Sequence, residues 1–150
     1  MIRKTIYILF FILIALASCT TQKSHFKNGM VVSAKIEASE AGISILKQGG
    51  NAFDAMIATD LALAVVYPNA GNLGGGGFMV FRLSNDSIGS LDYREKSPTK
   101  STKDMYLNEN GDEIKGLSTY GGLAVGIPGT VAGLFETYEK FGSIPLEIIF

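Results

Sequence analysis

Residues 52–66 hold only three polar side chains, Asp54, Thr59 and Asp60; the rest are apolar. Asn51 precedes the run as a helix cap, and Pro68 follows it as a stop. Asp54 stands three residues after Asn51, where the acidic partner of a capping box belongs. The stretch predicts a helix from Ala52 to about Tyr67. A helix that is apolar nearly all round is stable only when covered on most sides. A chain of 150 residues has few other elements to do the covering. The expectation is therefore a piece of a larger body.

The flanking segments predict alternating helices and strands. Ala38, Ala41, Gly42, Ile45 and Leu46 follow helical spacing, so a helix is expected over 34–48, with Ser33 as its cap and Gly49-Gly50 as its stop. After the apolar helix comes a glycine-rich stretch, 69–77. A strand is expected over 78–83, a turn at 84–87 and a returning strand over 88–94. Alternation puts Ile88, Ser90, Asp92 and Arg94 on one face, and Leu91 and Tyr93 on the other. Residues 97–120 read as loop, with a short helix at 103–107 and a turn at Asn110-Gly111. Leu123, Ala124 and Val125 read as a short buried strand. Residues 126–130 lead into a helix with Pro128 near its first turn and an apolar stripe of Val131, Leu134, Phe135, Tyr138 and Phe141. Gly142 ends it. The run Ile148-Ile149-Phe150 predicts that more chain follows.

The N-terminus has the pattern of a targeting segment. Arg3 and Lys4 precede twelve uncharged residues, 6–17. As a helix these reach ~18 Å, against the ~30 Å of a bilayer core, so the run fits a signal peptide better than a span. Leu16-Ala17-Ser18-Cys19 resembles the bacterial lipobox. That resemblance implies a signal peptide over 1–18, lipidation of Cys19, and a lipidated tether over 19–28. The mature protein is then expected on a membrane of the cell envelope, facing the periplasm or exterior.

Composition narrows the chemistry. Arg3 and Lys4 account for two of the 13 basic residues, leaving 11 against 14 acidic ones in the mature chain. No strong positive field is available, so nucleic acid is not an expected partner. A single Cys and a single His exclude a disulfide framework and any metal site rich in His or Cys. No cofactor is expected. His25 falls in the tether, and the carboxylate pairs Glu37/Glu40 and Asp112/Glu113 read as solvated surface. All 18 glycines lie at or after Gly29. The four at 74–77 come before a strand, whereas a dinucleotide fingerprint follows a strand and opens a helix. They serve either close backbone approach or the lining of a substrate pocket. The glycines around 126–133 allow an anion site at a helix start or close helix packing. Arg94 is the candidate binding residue. Its guanidinium at a strand end could hold a carboxylate through two parallel hydrogen bonds, or it could form a salt bridge to Asp92 or Glu95.

Several blocks then occur in a telling order. They are Gly29-Met30-Val31-Val32-Ser33, Gly49-Gly50-Asn51-Ala52-Phe53-Asp54-Ala55, Gly71-Asn72-Leu73-Gly74-Gly75-Gly76-Gly77-Phe78-Met79, Asp92-Tyr93-Arg94-Glu95, Asp104-Met105-Tyr106, and Gly126-Ile127-Pro128-Gly129-Thr130-Val131-Ala132-Gly133-Leu134. Together they resemble the N-terminal part of the large subunit of gamma-glutamyltranspeptidases, over about residues 29–146. The resemblance implies an α/β (α+β) fold, the first part of an N-terminal-nucleophile hydrolase αββα sandwich, incomplete over 29–150. It implies a precursor that cuts itself in two, so that a small subunit presents an N-terminal Thr as nucleophile. It implies gamma-glutamyl substrates such as glutathione, and water, amino acids or peptides as acceptors. Arg94 takes the position that holds the substrate's α-carboxylate. No catalytic residue is expected within this stretch. The alternative is a truncated lipoprotein that keeps Arg94 without turning substrate over.

Overall fold

The computed structural model describes residues 28–150. The expected signal peptide, Cys19 and His25 lie outside the described residues. The elements in order are α1 (Ile36–Lys47), α2 (Ala52–Val66), β1 (Phe78–Arg82), β2 (Ile88–Asp92), a 3-10 turn at Gly122–Ala124, α3 (Thr130–Phe141) and α4 (Leu146–Ile149). Strands β1 and β2 form one antiparallel hairpin, with Phe78 opposite Asp92 and Arg82 opposite Ile88.

Helix α1 begins two residues later than expected. Lys35, not Ser33, is the N-cap, and it makes no side-chain cap bond. Ser33 Oγ donates instead to Lys35 O (2.6 Å) and shares a bond with Ser39 Oγ (2.7 Å). The C-terminal stop is as expected. Gly49 adopts φ +95°, and Gly50 N donates to Ile45 O.

Helix α2 has the predicted limits and a complete capping box. Asn51 Oδ1 accepts from Phe53 N and Asp54 N, while Asp54 Oδ2 accepts from Asn51 N. Residues Asp54, Ala55, Ile57, Ala58 and Thr59 are buried. From Asp60 onward the helix is only partly covered, and Val65 is 78% exposed. The core gathers Ile45, Ala55, Ile57, Ala58, Leu134 and Ile149, so α2 is the spine on which α1, α3 and α4 pack. Burial of Ile45, Ile57, Leu134 and Ile149 contributes ~1.5–3 kcal/mol each, and of the alanines less.

The hairpin turns Phe81 inward, where it packs edge-on against Phe53 of α2 and Phe141 of α3. Its other face carries Phe78, Val80 and Ile88, all exposed among the described residues. Ser90 and Asp92 share that outer face and Leu91 is turned inward, as the alternation predicted.

Three expectations are corrected. Residues 103–107 form turns closed by Met105 N to Thr102 O and Leu107 N to Asp104 O, not a helix. Residues 122–124 form a 3-10 turn with Leu123 and Val125 exposed, not a buried strand. Among the described residues no strand pairs with them, and the Leu123 carbonyl is taken by the Tyr106 hydroxyl (2.6 Å). In α3 the buried positions are Thr130, Gly133, Leu134 and Thr137, while Val131 and Phe135 face outward. At Gly133 the helix meets the Tyr93 ring, which leaves no room for a side chain, while Leu134 packs into the core. Pro128 stands before the cap residue Gly129, outside the helix.

Candidate substrate-binding site

The ladder between β1 and β2 runs one residue past the strands. Tyr93 N donates to Gly77 O (3.0 Å) and Gly77 N to Tyr93 O (3.4 Å). Beyond it the backbone turns away, and Lys96 pairs with Ile127 through two hydrogen bonds of 3.1 and 2.8 Å. Tyr93, Arg94 and Glu95 thus cross between the glycine loop on one side and the start of α3 on the other.

Glycine is required on both sides of that crossing. A Cβ on Gly76 would stand 2.6 Å from Tyr93 O and 2.8 Å from Glu95 N. One on Gly129 would overlap Tyr93 O, and one on Gly133 would overlap the Tyr93 ring. The two glycine segments are also joined to each other. Gly75 O accepts from Gly129 N (2.8 Å) and Thr130 N (3.1 Å), and Thr130 Oγ1 donates to Asn72 O (3.2 Å). Close backbone approach is therefore the work of both glycine runs. Of the two readings of residues 126–133, close packing is the one this arrangement supports, since Gly129 N and Thr130 N are committed to Gly75 O.

Arg94 emerges at the rim of a cleft of about 160 Å³, lined by Asp92, Arg94, Lys96, Ile127 and Glu136 among others. Its Nε donates to Glu95 Oε2 (2.9 Å), and its guanidinium lies 5.6 Å from the centroid of the Phe78 ring. The Arg94 side chain is 59% exposed, and its terminal nitrogens have no acceptor among the described residues. Glu95's own backbone N–H, with the Arg94 guanidinium second, holds its carboxyl below the usual range. Asp92 does not form a salt bridge with Arg94; its Oδ1 accepts from the Arg94 backbone N (3.0 Å).

A second cleft, about 330 Å³, opens on the other side of the crossing and is lined by Asp60, Asn72, Gly76, Tyr93, Glu95 and Thr130, with their loop neighbours. Asp60 has no hydrogen-bond or ion-pair partner among the described residues. Burial raises its carboxyl pKa, and burial together with the Asp60 charge raises that of the Tyr93 phenol. The sequence offered one signal for this pair, a charge in mid-course of an apolar helix. Nothing in it linked Asp60 to Tyr93. A larger groove, about 670 Å³ between residues 28–33 and α2, carries Asp60 and Tyr93 as its titratable groups and no cation among the described residues to meet a carboxylate.

The mixed α/β segment matches solved gamma-glutamyltranspeptidases over part of their length. The structure is similar to that of Helicobacter pylori gamma-glutamyltranspeptidase, at a TM-score of 0.78 and 47% identity, over 84% of this chain and 36% of that one. It is similar to the Pseudomonas nitroreducens enzyme complexed with L-DON, at 0.77 and 45%, over 83% and 37%. The gamma-glutamyltranspeptidase family model matches residues 38–150, and the chain belongs to that family. Among curated relatives, the glutathione hydrolase proenzyme of Pseudomonas sp. (strain A14) is 55% identical over 117 residues, which is 78% of this chain and 20% of the relative. That of Escherichia coli (strain K12) is 49% identical over 123 residues, 81% and 21%. The chain spans about a fifth of the length of these relatives.

Proposed function

We propose that this chain is the N-terminal part of the large subunit of a glutathione hydrolase proenzyme, and that Arg94 holds the α-carboxylate of its gamma-glutamyl substrate. The observation that carries the reading is the state of the guanidinium. Glu95 takes Nε and orients the plane, which leaves the two terminal nitrogens toward the cleft. A planar fork held on one edge suits bidentate capture of a carboxylate.

In this reading the rest of the precursor supplies the remaining layers of the αββα sandwich and a small subunit whose N-terminal Thr is the nucleophile. The Thr hydroxyl attacks the gamma-glutamyl carbonyl, its own amine takes the proton, and the leaving amine departs. The acyl group then passes to water or to an amino-acid or peptide acceptor. This chain's contribution is to fix the donor by its carboxylate so that the gamma carbonyl meets the nucleophile. Cys19 serves as a lipid anchor that places the enzyme at an envelope membrane.

The test is an assay with gamma-glutamyl-p-nitroanilide. The self-cleaved proenzyme should release p-nitroaniline, and residues 19–150 alone should not. Turnover by residues 19–150 alone would refute the division of labour. The competing reading, a lipoprotein that no longer turns over, predicts a stop codon directly after Phe150; an open frame leading to a Thr-initiated small subunit excludes it.

A further inference from the structure

We propose that Asp92 is a positioning residue for Arg94, acting on its backbone as a hydrogen-bond acceptor and not on its guanidinium as a charge. The proposal rests on the reading of Arg94 as the carboxylate clamp.

Two acids flank the arginine and they do different things. Glu95 takes Nε of the side chain. Asp92 Oδ1 takes the backbone N–H of Arg94 at 3.0 Å, two residues on, which closes an Asx turn. That amide needs a partner. The hairpin ladder ends with the Tyr93–Gly77 pair, and the next backbone pairing is Lys96 with Ile127. Arg94 N lies between these anchors with no backbone acceptor. Asp92 supplies one and so sets the peptide plane from which the arginine side chain departs.

The same residue also sets what lies beneath the guanidinium. Asp92 is the ladder partner of Phe78, whose ring lies 5.6 Å from the Arg94 guanidinium. The glycine surfaces at Gly76 and Gly129 then block sideways movement of the Tyr93–Glu95 backbone, since each has its neighbour at contact distance. The carbonyl end of the same peptide, Tyr93 O, accepts from Gly77 N at 3.4 Å, and the shorter Asx-turn bond fixes its N–H end, so the two together resist rotation of the plane. An acceptor oxygen suffices for this; a negative charge does not enter.

The experiment compares Asp92→Asn, Asp92→Ala and Arg94→Ala in the self-cleaved proenzyme, on two donors. Gamma-glutamyl-p-nitroanilide has the α-carboxylate; gamma-aminobutyryl-p-nitroanilide lacks it. Asn keeps the acceptor and drops the charge, so Asp92→Asn should stay within about two-fold of the parent KM on the first donor. Asp92→Ala should raise that KM roughly 3- to 10-fold, with kcat moving less and the second donor unaffected. A merely structural role would lower activity on both donors alike. If Asp92→Ala does not self-cleave, Asp92→Val decides: it also lacks an acceptor but suits a strand, it should raise KM as expected for Ala, and a normal KM overturns the proposal. Asp92→Asn as impaired as Asp92→Ala would show that the charge matters, and overturns it too. Should Arg94→Ala raise KM on the first donor while Asp92→Ala does not, the positioning role falls and the clamp stands. Should Arg94→Ala leave that KM unchanged, the clamp itself falls.

Discussion

Ser143 Oγ donates a 2.5 Å hydrogen bond to Asp54 Oδ2 across 89 residues of sequence. The same carboxylate accepts from Ser143 N (3.2 Å) and from Asn51 N (2.8 Å), and Asn51 Nδ2 reaches Phe141 O (2.7 Å). One fully buried acid thus caps α2 and ties its N-terminus to the end of α3. The tie also holds Phe53 stacked on Phe141, 4.2 Å between ring centroids.

Asp54→Ala removes the buried acceptor shared by Ser143 Oγ, Ser143 N and Asn51 N, of which only Asn51 N keeps another partner, Ser143 Oγ at 3.2 Å. It should destabilise the chain by about 2–4 kcal/mol, and Ser143→Ala by about 1 kcal/mol. Denaturant titration followed by circular dichroism measures both. Equal midpoints for parent and Asp54→Ala would show that the tie carries no weight.

The glycine clasp predicts a sharp positional contrast. Gly133→Ala should disrupt the seat of Tyr93, because the added methyl overlaps its ring, at a cost of at least ~1–3 kcal/mol. Gly122→Ala meets nothing within 4 Å and should be neutral or stabilise by up to ~1 kcal/mol. Melting temperatures of the two variants check the contrast, and Tyr93→Ala should recover part of the Gly133→Ala loss.

Asp60 gives a dependence on pH with a definite sign. Its folded pKa lies above the unfolded one, so the folded state holds the proton more tightly. Stability is therefore greatest below the ordinary carboxylate pKa and falls as pH rises through the interval up to the raised value. Glu95 has the opposite sign, being held below its usual range. The difference between parent and Asp60→Asn isolates Asp60. The variant should gain on the parent as pH increases across that interval, read as melting temperature against pH. A constant difference would mean that the Asp60 carboxyl is not perturbed.

For Arg94 the expected cost follows from geometry. Lys keeps the charge and loses the fork, so one charge-assisted bond of ~1.5–3 kcal/mol goes, and kcat/KM of the proenzyme should fall roughly 10- to 150-fold. Ala should lower it further. Self-cleavage should persist in both variants, seen as two subunits on a gel. Normal kinetics with lowered stability would reassign Arg94 to a structural pair with Glu95.

The local instructions were legible from residues alone. The Asn51–Asp54 box, the Gly49 stop, the limits of α2 and the faces of the hairpin all depend on neighbours within four or five positions, and each appears where expected. The second strand stops at Asp92, short of the expected 94, so Arg94 lies just beyond it; the ordered blocks of motif identified the family. What the chain does at a distance was decided by packing. Nothing near Asp54 in sequence announces Ser143, because the bond exists only once α2 and α3 are laid side by side. The stripe on α3 was drawn from hydrophobicity, yet the helix turns Gly133 and Thr137 inward: Gly133 meets the Tyr93 ring, which leaves no room for a side chain, and the buried Thr137 hydroxyl donates to Gly133 O. The role of Asp92 was hidden for the same reason. Sequence shows two acids beside an arginine; only the folded backbone shows that one holds the side chain and the other holds the amide.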